Sequence, residues 1–340
     1  MKAAVIRRHG EADVIEYLDW PEPKPGPVEA LVRVRACALN RRDIWVRRGL
    51  RDKRLPNILG TDIAGEVMAL APGVHGLTVR QKVILYPALT CGRCAFCRSG
   101  EENACVEIKI FGGAVDGGYA ELIAVPAENV FAIPEGVTFS EAASIPVAFL
   151  TAWHMLVTRC RVRPGETVLV VGGSSGIGSA AVQIARLFGA RVLATAGSDD
   201  KRQRCRDLGA DQVLDHYKQP IAEEVRRLTD NRGADVVFEH VGTATWSESL
   251  KALARRGRLA ICGQTTGNEV TLDLMRFFAQ NQTIHGTFIG TRAEFYELLR
   301  LFSAQRLRTV VDHVFPLAEA ARAHHRMERG EHFGKIVLSV

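Results

Sequence analysis

Thr167-Val-Leu-Val-Val-Gly-Gly-Ser-Ser-Gly-Ile-Gly-Ser-Ala-Ala-Val-Gln-Ile-Ala185, followed closely by Arg191-Val-Leu-Ala-Thr-Ala-Gly-Ser198, decides the fold of this 340-residue chain. Thr167–Val171 is a short apolar run of strand type, and Ser179–Leu187 repeats apolar residues at helical spacing. Glycines between them let the backbone turn tightly and approach a pyrophosphate, which backbone amides and the positive helix end attract. Gly173, Ser174, Ser175, Gly176 and Ile177 are therefore the candidate cofactor contacts. A lone glycine pattern is weak; here the strand before it, the helix after it and a second strand supply the context. The competing reading is a glycine turn that merely packs a helix on a strand.

Working outward, the rhythm from Glu166 onward is strand, turn, helix. Strands are expected at Thr167–Val171, Arg191–Ala194, Gln212–Leu214, Asp235–Phe238, Arg258–Ile261 and Thr283–Gly286, with helices such as Gly178–Phe188 and Ala222–Leu228 between them. Such alternation implies a parallel sheet covered on both faces. Residues 1–120 read instead as short strands, among them Lys2–Arg7, Ala30–Ala38, Ala64–Ala69 and Lys82–Leu85, and the tail from Arg306 returns to strands. The expected plan is an α/β protein: a β-rich domain from 1–150 and 291–340, with a doubly wound domain at 151–290.

Composition excludes several classes. The chain is 47% hydrophobic and 24% charged, an ordinary globular balance. Its net charge of +6 is spread along the chain without aromatic-interleaved basic patches, which argues against nucleic acid. The longest apolar stretch, Ala142–Val157, is broken by Ser144, Pro146, Thr151 and His154, so no membrane span is expected. The start has no apolar signal core, and a reducing cytoplasm is the expected location. One basic run stands out: Arg41, Arg42, Arg47, Arg48, Arg51, Lys53 and Arg54. It is either a solvated face or a positive rim that steers anionic ligands.

Cys91, Cys94, Cys97 and Cys105 form a C-x2-C-x2-C-x7-C run. Four thiolates at this spacing close a tetrahedral shell around one zinc and leave no open position, which makes a structural clip. An iron–sulfur run would end in Cys-Pro after a shorter gap; here Val106 follows Cys105. Cys37, Cys160, Cys205 and Cys262 sit in apolar surroundings and read as small buried hydrophobes.

The second strand speaks to the nucleotide. No carboxylate stands at its end to take ribose hydroxyls; Ser198, Lys201 and Arg202 suit a 2′-phosphate instead. NADPH is favoured over NADH, with Asp199 and Asp200 keeping NADH open.

These features together resemble the medium-chain dehydrogenase/reductase superfamily over essentially the whole chain. The resemblance is carried by the cysteine run, GGSSGIGSAAVQIA at 172–185, ATAGSDDK at 194–201, Gly60-Thr61-Asp62-x2-Gly65 and Gly334-Lys335-Ile336-Val337-Leu338. It implies a GroES-like catalytic domain and a Rossmann domain. It also implies that Ser198, Lys201 and Tyr217 surround the adenosine phosphate, and it gives Lys335 to the cofactor. In the family's zinc alcohol dehydrogenases, a Cys, a His and a Cys or Asp hold a catalytic metal. Here the matching positions are Asn40, Thr61 and Val147, which do not form a zinc site. The pattern resembles the quinone oxidoreductase branch, although that branch usually lacks the four-cysteine lobe.

The implied chemistry is hydride transfer to a conjugated carbonyl, a quinone or an α,β-unsaturated ketone or thioester, whose own conjugation spreads the charge. By resemblance Asn40 and Trp45 lie near the substrate and Thr151 near the nicotinamide; ordinary packing is the alternative for Trp45 and Tyr217. Two other readings stay open: an alcohol dehydrogenase with ligands shifted to Cys37, Asp43, Asp62 and His154, and an NADPH-binding protein with little turnover. The strand Thr283–Ile289 reads as an exposed sheet edge, so a homodimer or homotetramer is expected.

Overall fold

The computed structural model describes residues 1–340, which divide into two compact units, 1–147 with 291–340 and 148–290. In the first unit one long strand organises the rest. Glu29–Ala38 alternates buried and less buried side chains along its length, the period-two pattern of a strand with one face on a core. It pairs antiparallel with three others, Asp62–Leu70, Leu122–Pro126 and Lys335–Ser339. Lys82–Leu85, Val130–Ala132 and Val311–Pro316 complete a seven-stranded sheet. Where the register shifts beside Val34, a Cβ on Gly65 would stand 2.1 Å from the Arg33 carbonyl oxygen, so only glycine fits there.

Register places the residues that matter. Ala38 pairs with Asp62 on one side and Val337 on the other, so Asp62 and Lys335 flank the point where the strand ends at Leu39-Asn40. The helix Arg41–Arg47 starts at once. Asn40 is its cap: its N–H donates to Asp43 Oδ2 at 2.8 Å, and Asp43 N–H returns to the Asn40 carbonyl at 3.0 Å.

The second unit is a six-stranded sheet, every pairing parallel, in the spatial order 212–214, 191–195, 167–170, 234–239, 253–261, 283–286. Val168, Leu169 and Val170 of its central strand are fully buried. Each such side chain contributes about 1.5–3 kcal/mol by leaving water. The sequence expected the strands to within a few residues. It did not anticipate the helix Pro146–Trp153 running on into a wide π turn at His154–Arg159, closed by Cys160 N–H to the Met155 carbonyl at 2.9 Å. The last strand stops at Gly286, short of Ile289. No helix is long and apolar enough to cross a membrane.

Beneath the helix Arg41–Arg47 runs a buried polar chain. Arg47 Nη1 donates to His324 Nδ1 at 3.1 Å, which leaves the imidazole proton on Nε2, 3.1 Å from the Tyr119 hydroxyl. Tyr119 donates in turn toward Asp43 Oδ2 at 3.5 Å. Burial, then the Arg47 charge, push His324 down to about 3. Since that lies below the ordinary value of 6.5, the unfolded chain binds the extra proton. Stability from this residue is full above pH 6.5 and is lost as pH falls toward 3. The expected slope is about 1.4 kcal/mol per pH unit. Asp43 of the same chain, raised to about 6 by burial, slopes the opposite way below pH 6, so His324 is isolated by difference. In urea unfolding between pH 6.5 and pH 5 the wild type should lose about 1.4 kcal/mol per pH unit relative to His324→Gln, whose amide preserves both hydrogen bonds; parallel curves would refute it.

Candidate functional site

The parallel sheet changes direction of winding between strands 167–170 and 234–239, and a crevice opens at such a point beyond the carboxyl ends of the strands. The glycine turn lies there. Gly172 has φ +66°, and a Cβ on Gly178 would be 2.2 Å from the Gly172 carbonyl, so strand and helix approach closely. Ser175 caps the helix Gly176–Leu187, accepting from Gly178 N–H at 2.9 Å and donating to the Gly172 carbonyl at 2.9 Å. Gly173 is buried against Ala194 and Cys205, whereas Ser174, Gly176 and Ile177 remain half-exposed at the helix start, where a pyrophosphate is attracted.

His240, unnoticed in the sequence, closes the other side of this crevice. It follows the strand Ala234–Glu239, and its Nε2 is 3.2 Å from Ser175 Oγ. Burial lowers its pKa. Glu239, wholly buried, clamps the turn by accepting from Val241 N–H at 2.6 Å and from the Ser249 hydroxyl at 2.5 Å. The signal was available: the residue after a strand across the winding change is where such folds place ligand contacts.

At the nucleotide end, Ser198 caps the helix Asp199–Asp207 and is exposed. Gly197 has no side chain to hold off Tyr217, whose ring would lie 2.4 Å from a Cβ there. Lys201 is close enough to His216 to add to the lowering of its pKa, of which burial is the main cause. Arg202 is drawn to Asp215 at 2.7 Å and to Asp199. Ser198, Lys201 and Tyr217 therefore share one neighbourhood with Arg202, whose guanidinium is taken up by Asp215, the same carboxylate that accepts the Tyr217 N–H at 3.0 Å.

In the first unit, Asn40, Asp62 and Lys335 form one cluster. Lys335 Nζ donates to the Leu39 carbonyl at 2.6 Å, Asn40 Oδ1 at 2.7 Å and Asp62 Oδ2 at 2.9 Å. Asn40 Nδ2 donates to Asp62 Oδ2 at 2.9 Å, and Val147 N–H to Asp62 Oδ1 at 2.9 Å. Thr61 turns its hydroxyl to the Phe111 carbonyl at 2.9 Å. Asp62 is thus engaged with protein donors at both oxygens, whereas Asp43 keeps its buried Oδ1 without a partner. Trp45 is half-buried with the Arg51 guanidinium 5.7 Å from its ring centre. Thr151 is buried on the helix Pro146–Trp153 of the second unit.

The basic run needs correction. Arg47 is fully buried and bound to Glu328; Arg42 pairs with Asp52, Arg48 with Glu11 and Arg54 with Asp116. Carboxylates pair with these four arginines, yet Arg48, Arg51, Lys53 and Arg54 stay exposed, so the solvated-face reading holds for much of the run, while the burial of Arg47 breaks any continuous positive rim. Asp52 lies only ten residues from Arg42, but local composition could not show the partners of Arg47, Arg48 and Arg54, which lie 281, 37 and 62 residues away.

The four cysteine sulfurs lie within 4.8 Å of one another, Cys91 and Cys97 at 3.9 Å. A zinc–sulfur length of about 2.3 Å implies a tetrahedral edge of about 3.8 Å, so the group fits zinc. N–H groups of Cys91 and Glu107 point at Cys105 Sγ from 3.3 and 3.4 Å, as they do toward a thiolate. Backbone donors, first that of Cys97, draw Cys94 down to about 6, while burial pushes Cys97 up to about 12. Arg292 bonds this lobe to the first residues after the second unit: its N–H meets Glu102 at 2.5 Å, and its guanidinium lies over Tyr86 at 5.0 Å.

Residues 26–135 match the alcohol dehydrogenase GroES-like domain, and residues 176–304 match the zinc-binding dehydrogenase family. An NAD-dependent alcohol dehydrogenase of Sulfolobus acidocaldarius is 31% identical over 350 residues, covering 100% of both chains. The chain belongs to the medium-chain dehydrogenase/reductase superfamily. A quinone oxidoreductase of Pseudomonas aeruginosa is 30% identical over 341 residues and 97% of each chain. The solved structure of an NAD-dependent alcohol dehydrogenase superposes with a TM-score of 0.97 at 44% identity, with 100% of each chain covered. The GroES-like match lies within the first unit, and the dehydrogenase match covers most of the second and runs on into 291–304 of the first.

In this dehydrogenase/reductase, Cys91, Cys94, Cys97 and Cys105 are the residues suited to a resident metal, and a closed site of this kind contributes folding energy. Metal analysis of dialysed protein is expected to give one zinc per chain, and Cys94→Ser to lose it together with several degrees of thermal stability. A ratio near two would reveal a second site and overturn the assignment of Asn40, Thr61 and Val147 as non-ligands.

Proposed function

We propose that this oxidoreductase uses NADPH to reduce a conjugated carbonyl, a quinone or an α,β-unsaturated ketone or thioester, with no metal at the reacting oxygen. One observation carries the reading: Asn40, Thr61 and Val147 stand where the resemblance puts catalytic zinc ligands, and Asn40 and Asp62 are closed on Lys335. When bound, reduced nicotinamide supplies a hydride. The glycine turn and the helix start at Gly176 hold its pyrophosphate, and Ser198 and Lys201 receive the 2′-phosphate. Asn40 donates to the substrate oxygen as it gains charge; Thr151 orients the nicotinamide. Trp45 provides an apolar wall but has no proton to relay at neutral pH, so water protonates the product.

A second reading, alcohol oxidation, is favoured by relatives named as alcohol dehydrogenases at up to 44% identity. A third, cofactor binding with little turnover, is separated by the same assay. Purified protein is expected to oxidise NADPH with 1,4-benzoquinone or an enone panel at least tenfold faster than it reduces NADP+ with primary or secondary alcohols. The reverse ratio would establish the second reading, and no turnover the third. Lys201→Ala should weaken NADPH at least tenfold more than NADH; tighter NADH binding by the wild type would reverse the cofactor preference.

The assembly we propose is a homodimer, or a tetramer built from dimers. Strand Thr283–Gly286 ends the sheet, and the neighbouring helix Leu274–Ala279 buries none of its residues, leaving Leu274, Met275 and Phe278 about two-thirds exposed. Sedimentation at micromolar concentration is expected to show a dimer or tetramer in the wild type and monomer in Phe278→Glu. A monomeric wild type would contradict it.

A further inference from the structure

The amide of Asn40 has two ends that look alike in shape and differ in chemistry, and its neighbours settle which is which. An ammonium only donates, so the amide atom 2.7 Å from Lys335 Nζ is oxygen; a carboxylate accepts, so the atom 2.9 Å from Asp62 Oδ2 is nitrogen. The two constraints are independent and agree. Turning the amide over would face N–H against ammonium and carbonyl against carboxylate. Lys335 has three protons and three acceptors, the Leu39 carbonyl, Asn40 and Asp62, and it is 5% exposed. Nothing of its ammonium is left over for a phosphate, although the resemblance gives this lysine to the cofactor. Asn40 itself is half-exposed, and after these bonds it keeps one N–H unassigned.

We infer that Lys335 and Asp62 are positioning residues that lock the Asn40 amide so that it presents a single N–H donor to the substrate's carbonyl oxygen. The inference rests on the proposed reading that Asn40 faces the substrate. Lys335 also polarises the amide from behind, because a cation at Oδ1 makes the opposite N–H a stronger donor. The bond it makes strengthens as the carbonyl oxygen acquires charge, so its effect falls on turnover and not on cofactor capture.

The test measures kcat and KM for 1,4-benzoquinone and a neutral enone, with NADPH affinity by fluorescence titration, in the intact protein. Lys335→Met is expected to lower kcat at least thirtyfold while NADPH affinity stays within twofold, and Lys335→Arg to recover part of the loss. Asn40→Ala should lose a similar factor, and the double variant Asn40→Ala/Lys335→Met no more than Asn40→Ala alone. Should Lys335→Met fail to fold, Asn40→Asp carries the test: it replaces the donor by an acceptor, and kcat should collapse with NADPH binding unchanged. An active wild type in which the two losses multiply, or in which Lys335→Arg weakens NADPH tenfold at unchanged kcat, overturns the inference alone. A wild type that turns over neither substrate overturns the proposed function and this inference with it.

Discussion

The first unit depends on one buried carboxylate. Asp62 has no exposure to solvent, and it gathers donors from three separate segments: the strand end at Asn40, the helix start at Val147 and the late strand at Lys335. A buried charge is costly unless every lone pair is satisfied, so the pairing with Lys335 is a constraint before it is a benefit. Removing either partner strands the other in a medium that solvates it poorly. The sheet register around Ala38 exists in a form that keeps the two within reach.

The second unit depends on a different kind of constraint. There the decisive groups are backbone groups: glycines that let Gly178 approach Gly172, and a serine that caps the helix. Side chains enter at the edges, with Ser198 and Lys201 toward the nucleotide end and His240 across the winding change. On the function proposed above the two units divide the chemistry, one offering a positive helix end for an anion and the other an oriented amide.

How much of this was legible in the sequence follows from distance along the chain. The glycine turn, the six strands of the parallel sheet and the cysteine lobe are local patterns whose meaning lies within some twenty residues, and they could be read directly. The partnership of Asn40 with Lys335 spans 295 residues, and that of Arg47 with Glu328 spans 281; no local rule relates such positions. Arg47 looked like surface because arginine usually is, and became core because Glu328 and His324 were folded over it. His240 was missed for a smaller reason: the strand before it was read as ending at Phe238, so the residue beyond it drew no attention.

The order in which the chain is made gives the topology a further meaning. Strand Lys335–Ser339 joins the middle of the sheet beside Glu29–Ala38, whereas the whole of 148–290 has been synthesised before it. The second unit can therefore complete its core on the ribosome while the Ala36–Ala38 end of that strand still lacks its partner. Until residue 335 emerges, Asp62 lacks its ammonium and Asn40 lacks the partner that holds its carbonyl. On the function proposed above, a nascent chain of this design takes up nucleotide before it can react, and it becomes reactive only when the sheet is closed.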